Sequence, residues 1–182
     1  MKVIDQEIAS LKNSISEMWA LVHQQLYNAG EAMLTGDKEL AYKVISRERR
    51  VNAFELKIDS DCEDIIALYA PVAVDLRFVL AMYKINTNLE RLGDFAESIA
   101  RLAGNLPEGV PVDPQLIKDT RVEEMLQELL SMLTLSQEAF EKESSEIASR
   151  IFLKDNLIDE INHNSTRIIA DYIEKHPGSA LV

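Results

Sequence analysis

Apolar residues return at steps of three and four from the start of the chain: Ile4, Ile8, Leu11, Ile15, Met18, Val22, Leu26, Ala29 and Met33. That spacing lines one face of an α-helix and predicts a first helix running to about Leu34. Thr35-Gly36-Asp37 then offers a glycine stop followed by an aspartate N-cap. A second stripe comprises Leu40, Val44, Val51, Phe54, Ile58, Ile65 and Leu68, and it ends before Pro71. A proline at the first helical position sacrifices an N–H that has no partner there anyway. Pro71 therefore reads as the start of a third helix, whose stripe is Phe78, Met82, Ile85, Leu89, Leu92, Ala96 and Ala103.

The pattern stops at Gly104-Asn105-Leu106-Pro107-Glu108-Gly109-Val110-Pro111-Val112-Asp113-Pro114, which holds three of the five prolines and two of the six glycines. This stretch reads as a linker. Two further helical patterns follow, from about Gln115 to Lys142 and from about Ser145 to Lys175. Shifting the chain by 107 positions, without gaps, lays Met18 on Met125, Leu26 on Leu133, Glu31 on Glu138, Ala32 on Ala139, Val44 on Ile151, Glu48 on Asp155 and Asn52 on Asp159. Agreement at polar as well as apolar positions marks an internal repeat. The chain is thus read as a three-helix unit over 1–104, a linker over 105–114 and a second unit over 115–182 with two helices, a counterpart of the third helix having room only after Pro177. A two-helix hairpin cannot bury a whole apolar stripe. Ile151, Ile158, Ile161, Ile168 and Ile169 are therefore expected to line a groove filled by another chain, a symmetric copy first of all; the competing arrangement folds this hairpin back onto the first bundle.

Composition sharpens this picture without changing it. With 6 glycines and 5 prolines among abundant Ala, Leu, Glu and Lys, an all-α fold is expected. Nineteen Lys and Arg against 31 Asp and Glu leave a net charge of -12, which opposes nucleic-acid phosphate as a partner and favours cations or basic protein surfaces. The single cysteine, Cys62, falls within an apolar helical pattern and reads as a buried thiol in a reducing compartment. No stretch approaches the ~20 apolar residues of a membrane span, and no signal-peptide pattern opens the chain, so a soluble cytoplasmic protein is expected. No Ser/His/Asp ordering and no glycine-rich phosphate loop is visible, and a non-enzyme is expected. Glu160-Ile161-Asn162-His163 is a single Glu-x-x-His, where a ferritin-like metalloenzyme uses two.

The candidate chemistry lies in the second and third helices. Glu48, Asn52, Glu55 and Asp59 fall within about 60° of one another on the second helix. Glu90, Asp94 and Glu97 repeat the arrangement on the third. The short connection at Ala70-Pro71 forces an antiparallel hairpin, and symmetry about residue 71 brings Glu48 level with Asp94 and Asn52 level with Glu90. Converging carboxylates need a compensating cation. Oxygen donors without Cys or His suit Mg²⁺, Ca²⁺, Mn²⁺ or an oxygen-bridged Fe³⁺ cluster more than structural Zn²⁺. The plainer alternative is a pair of solvated acidic faces, with Arg47, Arg49, Arg50, Arg91 and Arg101 near enough to form ion pairs. Trp19 reads as a core or interface aromatic.

Three segments, Ile45-Ser46-Arg47-Glu48-Arg49-Arg50-Val51-Asn52-Ala53-Phe54-Glu55, Ala70-Pro71-Val72-Ala73-Val74-Asp75-Leu76-Arg77 and Asn88-Leu89-Glu90-Arg91-Leu92-Gly93-Asp94, together resemble the PhoU family of phosphate-signalling proteins. The resemblance implies two three-helix bundles related by pseudo-twofold symmetry. It implies a metal site at Glu90 and Asp94, with Glu48 and Asn52 on the second helix as companions; family members have held iron, zinc or magnesium-like ions. Asp155 and Asp159 would form a possible second half-site, weakened because the sixth helix of the family pattern has no counterpart here. The resemblance further implies a negative regulator of phosphate-starvation signalling, acting between the ATPase of the phosphate ABC transporter and a sensor histidine kinase, and a homodimer is expected. A metal-independent helical scaffold is the alternative. Asp75 and Arg77 are candidates for a structural or partner contact, Asp75 through the dipole and free N–H groups of its helix N-terminus.

Overall fold

Six helices follow one another in the computed structural model, which describes residues 3–106 and 112–178: α1 (Val3–Thr35), α2 (Lys38–Tyr69), α3 (Val74–Asn105), α4 (Pro114–Thr120), α5 (Val122–Glu141) and α6 (Ser145–Lys175). The described residues contain no strand, so the fold is all-α. Five residues of the expected linker, 107–111, lie outside the described residues.

The α1–α2 turn follows its residues. Gly36 takes φ 71°, a left-handed conformation that costs a glycine nothing, and the Asp37 carboxylate accepts from the Leu40 N–H at 2.9 Å. The α2–α3 connection departs from expectation. Ala70 closes α2 in the left-handed region at φ 45°, donating its N–H to the Ile66 carbonyl. Pro71 is buried in the connection, Ala73 turns the chain again at φ 50°, and α3 begins only at Val74. The proline lies outside the helix because the left-handed Ala73 intervenes.

Helices α1, α2 and α3 each pack against the other two. Their core holds Leu11, Ile15, Met18, Val22, Val51, Ile58, Met82 and Leu89, all at 2% exposure or less. Toward the α1–α2 turn these large side chains give way to Ala29, Ala32, Ala41, Ala96, Ala100 and Ala103. Each fully buried aliphatic side chain contributes about 1.5–3 kcal/mol, and the alanine end lets the backbones approach closely. Leu68 belongs to the expected stripe but turns outward, 72% exposed. Cys62 is buried as expected; burial pushes its thiol up to about 12.

In the second unit the helix expected from Gln115 to Lys142 is broken. Arg121 sits in the left-handed region at φ 55° and separates α4 from α5. The Thr120 hydroxyl donates back to the Leu116 carbonyl at 2.7 Å. The Arg121 guanidinium holds the break by pairing with Glu124 at 2.7 and 2.8 Å and with Glu160 of α6 at 2.9 Å. At the other end of α4, Asp113 caps Gln115 N–H and accepts from the Tyr172 hydroxyl of α6 at 3.0 Å.

Helix α5 docks on α1. Trp19, 6% exposed, donates its indole N–H to the Leu133 carbonyl at 3.2 Å and stacks on Phe140 at 5.8 Å between centroids. Gly30 admits Leu126 so closely that a Cβ there would meet the leucine Cδ2 at 2.3 Å. Helix α6 packs on α4 and α5. The isoleucines expected to line one groove differ in burial: Ile161 is in the core at 1% exposure, Ile151, Ile158 and Ile168 are half-buried, and Ile169 is 42% exposed, with Ile161 and Ile169 alone of the five sharing one apolar cavity among the described residues. The fold-back arrangement holds for α5, which lies on the first bundle, while α6 keeps an outward face with Phe152 and Leu153 exposed. No helix among the described residues is long and apolar enough to cross a membrane.

Candidate functional site

The α2–α3 seam brings the two acidic stripes together. Gly93 faces Val51, and Asn86 reaches Glu55 and Asp59, so the pairing matches the symmetry about residue 71 to within a turn. The approach is close because residue 93 has no side chain: a Cβ there would stand 2.9 Å from Val51 Cγ1. Glu90 and Asp94 flank this glycine on α3, and Glu48 and Asn52 flank Val51 on α2. Replacing Gly93 with alanine should push the seam open. Overpacking costs about 1–3 kcal/mol against about 1 kcal/mol returned by alanine's helix propensity. We expect a net loss of up to about 2 kcal/mol by urea denaturation; a variant more stable than wild type would show that Val51 moves aside freely.

Burial raises the Glu48 carboxyl above its ordinary value, with the charges of Glu97 and Asp94 adding to it and a hydrogen bond from Asn52 opposing it. Burial also raises Glu90, followed by the charges of Asp94, Glu55 and Glu48; a proton on Glu90 is further held by a hydrogen bond with Asp94. Of the five nearby arginines, Arg101 pairs with Glu97 at 2.6 Å, Arg50 lies over the Phe54 ring at 6.0 Å, and Arg47, Arg49 and Arg91 form no ion pair among the described residues. The seam thus gathers carboxylates whose repulsion is only partly offset.

A carboxyl raised by folding favours the protonated native state, so its contribution is favourable at low pH and is lost as pH rises above the ordinary carboxylate range. In chelator-treated protein, Glu90→Gln should melt with wild type at low pH and above it near neutrality. Parallel melting temperatures across that range would contradict the electrostatic account.

The donor set fits a hard cation: Glu48, Glu90 and Asp94 supply carboxylates, and Asn52 an amide oxygen. Among the described residues, however, no three His, Cys, Asp or Glu side chains stand together in an arrangement ready to hold a metal ion. The seam assembles the groups without closing them around a point.

The other sequence candidates are more dispersed. Asp155 and Asp159 are both exposed on α6, and among the described residues no helix lies across from them as α3 lies across from Glu48. Glu160 is engaged by Arg121, and His163 is exposed. Asp75 and Arg77 are exposed, and among the described residues their side chains make no hydrogen bond or ion pair, while the Arg77 backbone N–H donates to the Ala73 carbonyl at 3.2 Å. With only the helix dipole to act on it, Asp75→Ala should cost about 0.3–1 kcal/mol in urea titration; a larger loss would reveal a contact. An apolar cavity of about 510 Å³ lies between the bundles, lined by Met33, Leu102, Leu116, Met125, Ile161 and Ile169 among others. Among the described residues no charged side chain lines it, and its polar lining comes from Asn105, Thr120 and Ser165.

The PhoU domain matches residues 15–103 and 122–181, two segments whose starts differ by the same 107 positions as the internal repeat. The chain belongs to the PhoU family. It is 32% identical, over 94% of its length and 76% of the relative's, to a phosphate-specific transport system accessory protein PhoU homolog of Aquifex aeolicus. It is also 32% identical to the PhoU accessory protein of Escherichia coli K12, over 92% of this chain and 68% of that one. The solved PhoU from Pseudomonas aeruginosa superposes with a TM-score of 0.88 at 26% identity, covering 95% of this chain and 81% of that one. The phosphate transport system regulatory protein PhoU from Streptococcus pneumoniae gives 0.83 at 28% identity, covering 94% and 79%. Both likenesses agree with tandem PhoU-type helical units.

Two buried side chains, Gln25 between α1 and α2 and Asn86 in the seam, are not among the sequence candidates. Gln25 and Asn86 are buried at 1% and 0% exposure, and both sit where the helical period expects an apolar residue. A polar residue in an apolar register was the available signal.

Proposed function

We propose that this PhoU-family chain is an accessory protein of phosphate transport that represses phosphate-starvation signalling, acting between the ATPase of a phosphate ABC transporter and a sensor histidine kinase. The names of its relatives as accessory and regulatory proteins of phosphate transport support a regulator in place of an enzyme. In this reading Glu48, Asn52, Glu90 and Asp94 hold a metal cation, iron, zinc, magnesium or manganese, which would neutralise the seam and lock α2 to α3. The observation that carries it is the convergence of these groups at Gly93 with their charge only partly offset. Asp155 and Asp159 would complete a second site only with donors from a facing helix. The outward apolar face of α6, with Phe152 and Leu153, supports a homodimer, which sedimentation at micromolar concentration would reveal.

A metal-independent scaffold is the second reading, favoured by the absence of a closed ligand set among the described residues. One experiment separates the two. The chain should restore repression of phosphate-starvation genes in phosphate-replete bacteria lacking their own PhoU. Persisting derepression would sink the regulatory assignment, and restoration by a Glu90→Gln/Asp94→Asn variant would favour the scaffold.

A further inference from the structure

Two buried side-chain amides, one from each of the helices packed on α2, grip it at points that bracket Glu48 and Asn52. Gln25 of α1 donates its Nε2–H to the Val44 carbonyl at 2.8 Å. Asn86 of α3 donates Nδ2–H to the Glu55 carbonyl at 3.0 Å and to the Asp59 carboxylate at 2.7 Å. Glu48 and Asn52 lie between those two carbonyls. The remaining oxygens, Gln25 Oε1 and Asn86 Oδ1, are buried and accept no hydrogen bond.

An acceptor left without a partner in the core costs stability relative to an apolar side chain of the same shape, so these amides are poor choices for strengthening the bundle. They differ from leucine or methionine in being directional. An N–H aimed at one backbone carbonyl is satisfied in a single axial register, whereas apolar contacts tolerate slippage, which is how a buried asparagine specifies register in coiled coils. The internal repeat supplies a comparison: the counterpart of Gln25 is Met132, in the unit whose stripe is reduced to the exposed Asp155 and Asp159. The amide accompanies the fuller stripe.

We propose that Gln25 and Asn86 are positioning residues that fix the axial register of α2 against α1 and α3, and so bring Glu48 and Asn52 level with Asp94 and Glu90. This deepens the metal-holding reading and rests on it for what the seam binds.

Gln25→Met and Asn86→Leu remove the amides at nearly constant volume. Spin labels at Leu56→Cys on α2 and Leu102→Cys on α3, 68% and 70% exposed and about four turns apart along the bundle axis in the observed register, report an axial slip directly while native Cys62 stays buried. The double variant should melt no lower than wild type in chelator. Its label distance should shift or broaden by about 5 Å, one helical turn, and its Mn²⁺ affinity should fall by about 10-fold or more. An unchanged label distance overturns the inference at any melting temperature, and so does a shifted distance with unchanged Mn²⁺ affinity. Should wild type itself bind no Mn²⁺, the metal reading fails and the distance alone decides the register. If the double variant does not fold, Gln25→Met alone provides the same measurements.

Discussion

Glu90→Gln/Asp94→Asn protein, purified without a histidine tag, is expected to carry no more metal than a chelated control, with its helix content by circular dichroism unchanged. The two substitutions keep the shape of the side chains and remove two negative charges from one turn of α3. Hard cations are held by charge and by oxygen donors together, and amides are the weaker ligands. Glu90 is half-buried and Asp94 exposed, so neither substitution opens a cavity. The loss should therefore be specific to the metal. Elemental analysis is the direct measurement, and wild-type metal content in the double variant would rule out the seam as the site.

Trp19→Ala should cost about 3–5 kcal/mol, the range for emptying a large buried aromatic site. The indole contributes three separate things: buried area at 6% exposure, the N–H bond to the Leu133 carbonyl, and the stack on Phe140. Two of the three hold α5, so the damage should fall on the docking of the second unit more than on the packing of α1–α3. Limited proteolysis should leave α1–α3 as the resistant fragment while α5 and α6 are digested. Equal resistance of both units, or a loss below about 1 kcal/mol by urea denaturation, would show that the Lys12–Glu143 ion pair at 3.0 Å and the seating of Leu126 at Gly30 suffice.

Much of this was legible in the residues themselves. The three long helices follow from apolar spacing, the α1–α2 turn from Gly36 and Asp37, and the meeting of Glu48 with Asp94 from the shortness of the connection at Pro71. What escaped has identifiable physics. The break at Arg121 carries no glycine or proline; it is made by an arginine in a left-handed conformation whose guanidinium finds carboxylates on two helices. The late start of α3 depends on Ala73, again a residue with no preference for positive φ. Ile161 shares the apolar face of its neighbours, and periodicity gives a face but not which partner covers it. Gln25 and Asn86 interrupt apolar stripes, and only the structure shows that they do so inside the core.

The docking of α5 on α1 joins residues 114 positions apart, as the Trp19 to Leu133 contact shows. On a ribosome, α1, α2 and α3 are complete at Asn105, and their mutual packing requires nothing made later. Leu133 and Phe140 follow roughly 30 residues on, which at about 5–20 residues per second is a delay of about 2–7 s. Throughout that interval the nascent bundle presents Trp19 uncovered beside the gap at Gly30. A transient aromatic patch on a nascent chain is where a chaperone binds or a neighbouring chain sticks, so slower synthesis of the second unit is expected to lengthen that exposure and lower the yield of correctly assembled protein.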